Sequence, residues 1–334
     1  NRDSNVSMHV LNLTTKEASP CFKLQVRALE EHGVTCTNLS VPGEFDRDSS
    51  RSVFDYLRLH PKVLRRSFGE YDLVHVNYGL TAPMALAQPN LPVVLSLWGS
   101  DLEGRFGWLS ERCAPRCDAT VVMSESMGEQ LDCGYHVIPH GVELDKFEPL
   151  DRSTAIGRVG WNPDARHVLF PYGPDREVKD YPRAKRVADA ADERLSDTVE
   201  LQTLGTVDHS EMSDYMNAAD CLLLTSRREG SPNVVKEAMA CNLPVVSTDV
   251  GDVAERLDGV EPSAVRRTDQ GLTDALVEIL RGGERSNGRE HARAISSDRM
   301  AEQLRSVYQS VVDADEQSHG RSSAMRRPTA NSDN

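Results

Sequence analysis

Lysine and long apolar runs are scarce in this sequence. Seven of the 38 basic residues are lysines, and 52 acidic residues give the chain of 334 residues a formal net charge of −14. Carboxylates stay hydrated while salt screens their repulsion, so this balance is typical of proteins from a salt-rich cytoplasm. The same charge excludes a general nucleic-acid binder, because attraction to phosphate needs a basic face.

The seven cysteines form no short disulfide framework, and no apolar run reaches transmembrane length. Cys113, Cys117, Cys133 and His136 could be read as zinc ligands, but their spacing is not a standard one and isolated thiols are the favoured interpretation. Residues 1–20 lack the apolar core of a signal peptide. We therefore expect a protein of the reducing cytoplasm that holds no metal.

Short apolar runs alternate with amphipathic stretches along the whole chain. This alternation predicts the α/β class, with parallel sheets covered by helices on both faces. The predicted strands are residues 6–11, 71–76, 92–97, 119–123, 135–138, 167–170, 199–204, 221–225, 244–247 and 263–265. The clearest predicted helices are residues 22–32, 210–218 and 269–280.

The pattern becomes irregular between Glu148 and Asp164, which predicts a boundary between two domains. We expect two Rossmann-like, doubly wound parallel-sheet domains that face a cleft, residues 1–150 and 151–296, with ligands bound beyond the carboxyl ends of the strands. Residues 297–312 are predicted to form a last helix that packs back toward the first domain. Residues 313–334 contain almost nothing apolar and are predicted to be a disordered tail.

The strongest chemical signal runs from Glu229 to Glu237. A buried strand is predicted to end just before it, Ser231 is a good helix N-cap, and Pro232 suits the first helical position. The N–H groups of the first helical turn would then lie beyond the carboxyl end of a strand, which is a ready site for phosphate. Carboxylates accept hydrogen bonds from sugar and ribose hydroxyls, so two acids beside an anion site suit a nucleotide-sugar. Two solvated glutamates on a surface helix are the alternative.

These residues, followed by Ala-Met-Ala-Cys-Asn-Leu-Pro, resemble the E-x7-E region of the retaining glycosyltransferases of family 4, which have the GT-B fold. Three more stretches resemble the family in the same order: Trp98-Gly-Ser-Asp101, Ile138-Pro-His-Gly-Val-Glu and residues 210–220. The resemblance spans most of residues 70–312. It implies a transferase that moves a sugar from a nucleotide-sugar donor to a hydroxyl acceptor, with retention and without a metal or other cofactor. The acceptor is not identified.

The resemblance also assigns roles on the donor side. Glu237 would hold the donor ribose and Glu229 the transferred sugar. The diphosphate would lie against the helix start, formed by Gly230, Ser231, Asn233 and Val234. Base contacts would come from the backbone of residues 205–207.

A diphosphate leaving group without a metal needs a positive partner. The family supplies a basic pair after the first strand of its second domain, and Lys179 matches its lysine. Tyr172 and Gly173 stand where the family's arginine is usual. Arg176 either takes over that role or is a plain surface arginine.

In the first half, Gly99, Ser100 and Asp101 follow a strand and are assigned to the acceptor side of the cleft. Gly99 would allow a close approach to the backbone. Asp101 would either orient an acceptor hydroxyl or cap the next turn, and capping is favoured. Trp98 stands where many family members carry a histidine, so its part in sugar binding is open.

The stretch from Arg58 to Phe68 is basic against an acidic background. Pro61 would start its helix, with Val63, Leu64 and Phe68 as the apolar side. Related enzymes that glycosylate lipids touch the inner membrane surface with such a helix. A surface helix packed on the sheet is the favoured alternative.

Other classes of function fit less well. A dinucleotide-dependent oxidoreductase needs G-x-G-x-x-G after a strand, and neither residues 11–21 nor residues 170–179 contain it. A sugar phosphorylase, a sugar-nucleotide epimerase and a non-catalytic sugar-binding relative of the same fold remain as alternatives.

Overall fold

The computed structural model describes residues 8–43, 52–205 and 207–324. Their strands are β1 Met8–Thr14, β2 Val34–Ser40, β3 Leu73–Asn77, β4 Val93–Leu97, β5 Ala119–Val122, β6 His136–Val137, β7 Arg166–Phe170, β8 Val199–Thr203, β9 Cys221–Leu224, β10 Val245–Ser247 and β11 Ala264–Val265. All pairings are parallel, in two sheets of order β2-β1-β3-β4-β5-β6 and β11-β10-β9-β7-β8. The predicted α/β class with two parallel sheets is confirmed.

The helices connect these strands. They are α1 Pro20–Glu31, α2 Val53–Leu57, α3 His60–Arg66, α4 Ala82–Leu86, α5 Gly107–Cys113, α6 Glu125–Gly128, α7 Arg152–Val159, α8 Tyr181–Asp192, α9 Met212–Ala218, α10 Asn233–Ala240, α11 Val253–Arg256, α12 Asp269–Gly282, α13 Gly288–Ala292 and α14 Ser297–Ala324. Across the described ranges, no helix combines the length and the apolar character that a membrane crossing requires.

The chain divides into two compact units. Among the described residues, the second unit contains Met123–Ser126 and Pro139–Met300, and the first contains the rest. The segment that follows Pro139, which was predicted to end the first domain, packs within the second unit. There Val142 N donates to Ile295 O at 3.0 Å, and the Arg289 guanidinium donates to Phe147 O at 2.6 Å.

The second sheet separates two apolar cores. Val168 and Phe170 of β7 pack into one core with α8 and α12, whereas Leu169 packs into the other with α9, α10 and α13. On β9, Leu223 faces the first of these cores and Leu222 the second. Successive strand residues point to opposite faces, and both faces are covered here, so these strands are continuous apolar runs.

The last helix is longer than predicted. It belongs to the first unit from Ala301 onward, where the Tyr308 hydroxyl lies 2.7 Å from His75 Nδ1 on β3. The prediction of a disordered tail from residue 313 is wrong for residues 313–324, which continue the helix to Ala324. The Gln309 side chain donates to Asp313 Oδ1 at 2.8 Å at the start of this extension. Residues 325–334 lie outside the described part of the chain.

All ten predicted strands have a counterpart, although residues 6 and 7 of the first lie outside the described ranges. Strand β2 was missed. It is an edge strand with one fully buried position, Val34, and its sequence Val-Thr-Cys-Thr-Asn-Leu-Ser gives little apolar signal.

Candidate functional site

The candidate site lies where four strands of the second sheet end. Parallel strands bring their carboxyl ends to one edge, and the loops after β7, β8, β9 and β10 carry its polar side chains. Three contacts join these loops and helix α10: Lys179 to Glu229, His209 to Glu237 and Ser231 to Asp252.

Helix α10 presents its first turn at this edge. Asn233 and Val234 precede the first backbone bond of the helix, which Val235 N donates to Pro232 O at 3.1 Å. The prediction that Ser231 caps the helix is wrong, because Pro232 is the N-cap and has no side chain that could cap. Asn242, just past the helix, is in the left-handed conformation with φ of 54°.

Ser231 is instead part of a polar cluster with the loop after β10. Its hydroxyl donates to Asp252 Oδ2 at 2.8 Å and accepts from Lys236 Nζ at 3.3 Å. Gly251 lets this loop approach, since it has φ of +55° and an added Cβ would lie 2.2 Å from Gly230 O. The helix start is therefore fixed by its neighbours and not by a local cap.

Lys179 and Glu229 form a nearly buried ion pair. The Lys179 Nζ to Glu229 Oε1 distance is 2.5 Å, and the side chains are 7% and 13% exposed. Ser226 Oγ donates to the same carboxylate oxygen at 2.6 Å. Burial lowers the pKa of Lys179, while the neighbouring carboxylate raises it. The loop after β7 thus places a cation beside the acid that precedes α10.

Two cations lie close to the ring of Tyr172. Lys179 Nζ is 4.0 Å from the centre of its ring, and the exposed Arg176 guanidinium is 5.2 Å from the same centre. Burial, followed by the charges of Glu229 and Glu237, raises the pKa of the Tyr172 phenol well above its usual range. Both cations therefore lie within cation–π distance of the same aromatic ring.

Glu237 lies on α10 with an exposed fraction of 8%. Its Oε1 is 2.8 Å from Nε2 of His209, in the loop after β8. His209 Nδ1 in turn lies 2.6 Å from Lys146 Nζ. The backbone predicted to contact the base lies in the same loop; of its three residues, residue 206 is outside the described part of the chain.

Lys236 lies between Val235 and Glu237 on α10 and is 1% exposed. Its Nζ donates to His140 O at 2.8 Å as well as to Ser231. Burial, aided by the Lys236 charge, lowers the pKa of His140 to about 3. This lysine therefore joins the start of α10 to the segment that follows Pro139.

In the first unit, Asp101 ties two strand-end loops together. One carboxylate oxygen accepts from Trp98 N and the other from Gly79 N, each at 2.8 Å. Burial raises the pKa of Asp101, and these backbone bonds oppose the shift. Both bonds go to backbone N–H groups that precede Asp101 in the chain, whereas the favoured prediction was a cap on the turn that follows it.

Ser100 and Gly99 lie at the same edge of the first sheet. Ser100 is exposed, and its hydroxyl is 3.0 Å from that of Tyr78. Tyr78 has φ of 144°, which a non-glycine residue rarely adopts and which marks strain at the end of β3. Gly99 has φ of +109°. No sequence pattern singled out Tyr78.

In the basic segment of the first unit, Val63 lies on the apolar side of α3 and is fully buried. A helix packed on the unit, which was the favoured alternative, requires this burial. Phe68 is 73% exposed, and α2 adds Phe54 at 75% and Leu57 at 51%. Apolar surface is therefore present beside the basic residues, but it comes from α2 and from the end of α3.

The described residues contain no group of three or more His, Cys, Asp or Glu side chains placed to hold a metal. Among the four side chains considered as zinc ligands, the Cys117 thiol donates to Cys113 O at 3.5 Å. All seven cysteines are free thiols.

Solved structures of other proteins share the fold of this chain, with its two parallel-sheet units. Sucrose-phosphate synthase from Thermosynechococcus elongatus aligns with a TM-score of 0.72 at 17% identity, over 92% of this chain and 100% of that one. HepE of Anabaena, solved in complex with UDP, aligns with a TM-score of 0.66 at 15% identity, over 91% and 100%. The chain therefore has the GT-B fold.

Matches to family models narrow the assignment from the GT-B fold to a family of glycosyltransferases. The model of Glycosyltransferase Family 4 matches residues 8–146, and that of Glycosyl transferases group 1 matches residues 161–282. Together the two ranges cover most of the chain, which belongs to the glycosyltransferases of family 4.

Two curated relatives show how far the likeness extends. TuaC of Bacillus subtilis (strain 168), named for teichuronic acid biosynthesis, is 28% identical over 214 residues, covering 55% of this chain and 54% of TuaC. D-inositol 3-phosphate glycosyltransferase 1 of Catenulispora acidiphila is 24% identical over 314 residues, covering 74% of each. The chain thus spans about half the length of TuaC.

Proposed function

We propose that this protein is a retaining glycosyltransferase that takes a sugar from a nucleoside-diphosphate sugar without a metal. The observation that carries the proposal is the Lys179–Glu229 pair at the first turn of α10. The ammonium of Lys179, the carboxylate of Glu229 and the N-terminus of α10 then supply a cation, a group that accepts hydrogen bonds from sugar hydroxyls, and a helix end that suits an anion. A charged leaving group and a polar sugar need these three features.

The diphosphate would lie against the backbone N–H groups of Asn233 and Val234. Lys179 and Arg176 would balance its charge, with Tyr172 holding both cations near the loop. Arg176 thus takes the part of the family's arginine from a position further along the loop. Positive charge that is in place before reaction stabilises the departing diphosphate without reorganisation.

Glu229 would accept hydrogen bonds from hydroxyls of the transferred sugar, and Glu237 would accept hydrogen bonds from hydroxyls of the ribose. Glu229 is held by Lys179 and by Ser226, which suits a binding role better than that of a nucleophile. We infer that the acceptor attacks without a covalent enzyme intermediate and that the anomeric configuration is retained.

The HepE structures support the choice of donor. HepE has been solved with UDP, and with UDP and glucose. UDP and its sugars are therefore the first ligands to try, with GDP and ADP sugars as the rest of the panel.

Release of the nucleoside diphosphate from each donor, in molar KCl with a mixture of hydroxyl acceptors, tests the proposal. We expect one donor to be consumed, no effect of a chelator, and a product whose anomeric proton has the donor's configuration by NMR. Lys179→Met and Glu229→Gln should each lower turnover, whereas Glu278→Gln, on the exposed face of α12, should not. Inversion, or loss of activity with the chelator, contradicts the mechanism.

The same assay separates the alternatives. A phosphorylase would need inorganic phosphate to release the sugar, and an epimerase would convert the donor without an acceptor. A non-catalytic relative would bind the nucleotide and consume nothing.

We also propose that the first unit touches an anionic membrane surface. Phe54, Leu57 and Phe68 are exposed in the same stretch of chain as the exposed Lys62 and Arg65, and a segment that exposes both apolar and basic side chains suits the lipid interface. Cosedimentation with phosphatidylglycerol vesicles should exceed that with phosphatidylcholine vesicles.

A double change, Phe54→Ser with Phe68→Ser, should reduce vesicle binding. Phe106→Ser removes a phenylalanine that is 45% exposed elsewhere in the first unit, and it serves as the control. Equal binding by the double variant and the wild type would overturn membrane contact through this surface.

A further inference from the structure

Three side chains from three separate parts of the second unit form a chain of hydrogen bonds that ends on Glu237. Lys146 Nζ lies 2.6 Å from His209 Nδ1, and His209 Nε2 lies 2.8 Å from Glu237 Oε1. The side chain of His209 is 38% exposed and that of Glu237 is 11% exposed, so this series of hydrogen bonds runs from the surface into the site.

The ammonium fixes the direction of these bonds. A lysine ammonium donates and cannot accept, so His209 Nδ1 has to be the acceptor. The imidazole proton is then on Nε2, where it is donated to Glu237. Lys146 thus selects the tautomer of His209 that can hold the carboxylate.

Lys146 and His209 both pack against the ring of Phe147. Lys146 Nζ lies 5.2 Å from the ring centre of its neighbour Phe147, and the His209 ring meets the same ring edge-on at 5.6 Å. Phe147 is 1% exposed, and its carbonyl accepts from Arg289 at 2.6 Å. The imidazole is therefore positioned by packing as well as by hydrogen bonds.

We propose that His209 is a positioning residue that sets the sugar specificity of the nucleotide site. By holding Glu237 Oε1, it fixes the carboxylate rotamer and leaves Oε2 for a ribose hydroxyl. Lys146 acts through His209 and touches no ligand. The inference rests on the proposed function, in which Glu237 binds the donor ribose.

The consequence is discrimination between ribose and deoxyribose. A site built around a buried carboxylate disfavours a ligand that lacks the matching hydroxyl, because the acceptor is left unpaired. Without the hydrogen bond from His209, the Glu237 carboxylate could turn away from the ribose. A ribonucleotide and its deoxyribose counterpart would then bind with more similar affinities.

Calorimetric titration of the full chain with UDP and with 2′-deoxyuridine 5′-diphosphate tests this inference. We expect the wild type to prefer UDP by about tenfold or more, and His209→Ala to lose most of that preference. His209→Gln should keep much of it, because its amide nitrogen can reach the place of Nε2. The shorter His209→Asn should not.

Two further variants place the effect on this chain of bonds. Lys146→Met should lower the preference by a smaller factor, because it frees the tautomer but leaves the ring in place. Lys185→Met, at an exposed lysine of α8, is its control. In a Glu237→Gln background, His209→Ala should change the preference no further.

The outcomes separate the two proposals. If the wild type prefers UDP and His209→Ala keeps the full preference, the role of His209 is overturned and the proposed function stands. If the wild type binds no nucleoside diphosphate, both are overturned. A folded His209→Asn variant that keeps the full preference for UDP would likewise overturn the role of His209.

Discussion

Breaking the ion pair between Lys179 and Glu229 should destabilise the second unit strongly. Both side chains are nearly buried, so Lys179→Met leaves the Glu229 carboxylate with the hydrogen bond from Ser226 and little contact with water. Removing one member of a buried pair costs about 3–5 kcal/mol, and we expect about 3 kcal/mol for Lys179→Met and a similar loss for Glu229→Gln. The double variant should lose less than the sum, with a coupling of at least about 1.5 kcal/mol.

Urea unfolding followed by the fluorescence of Trp161 measures these losses in the unit that carries the pair. Replacing Trp98 and Trp108 by phenylalanine leaves Trp161 as the single tryptophan of the chain. The exposed pair of Lys185 and Asp189, at 56% and 59%, is the control and should show a coupling below about 0.5 kcal/mol. Losses for Lys179→Met and Glu229→Gln that simply add would refute the view that the two groups depend on each other.

Three other outcomes are expected. Tyr172→Leu should weaken UDP binding about fivefold by removing the ring that gathers the cations, and Tyr172→Phe should not; titration of both variants checks this. Gly251→Ala should lower the midpoint of thermal unfolding, with a cost of at least about 2 kcal/mol, because a Cβ would lie 2.2 Å from a carbonyl oxygen at positive φ. His75 and His140 have pKa values lowered by burial from 6.5 to about 3, so below pH 6.5 the unfolded state binds more protons than the folded one. Each should then remove about 1.4 kcal/mol of stability per pH unit as the pH falls toward 3, and His140→Gln should make acid unfolding less steep.

The parts of the fold that local sequence encodes could be predicted. Central strands buried on both faces are continuous apolar runs, which is why β7 and β9 were recognised almost to the residue. Strand β2 lies at a sheet edge and mixes polar with apolar residues, so it gave no such signal. The end of α14 was missed because a mostly polar helix and a disordered tail have similar compositions, and residues 313–318 are mostly exposed, so no apolar pattern marks the continuation.

The site divides in the same way. Glu229 and Glu237 were found because a strand, a loop and a helix place them within one stretch of sequence. His209 is 28 residues from Glu237 and 63 from Lys146, and the contact between them depends on how three loops meet at the sheet edge. The assignment of Ser231 as a cap failed for a related reason, because its hydroxyl bonds to Asp252 from another loop.

The central claim is that the loops around α10 bind a nucleoside diphosphate through Glu237. Calorimetric titration of the chain with UDP, GDP, ADP and NAD in molar KCl tests it directly, with Glu237→Gln and the control Glu278→Gln beside the wild type. The account predicts that one nucleoside diphosphate binds and that Glu237→Gln weakens it about tenfold while Glu278→Gln does not. Binding of NAD alone, or equal affinity in the two variants, would contradict it.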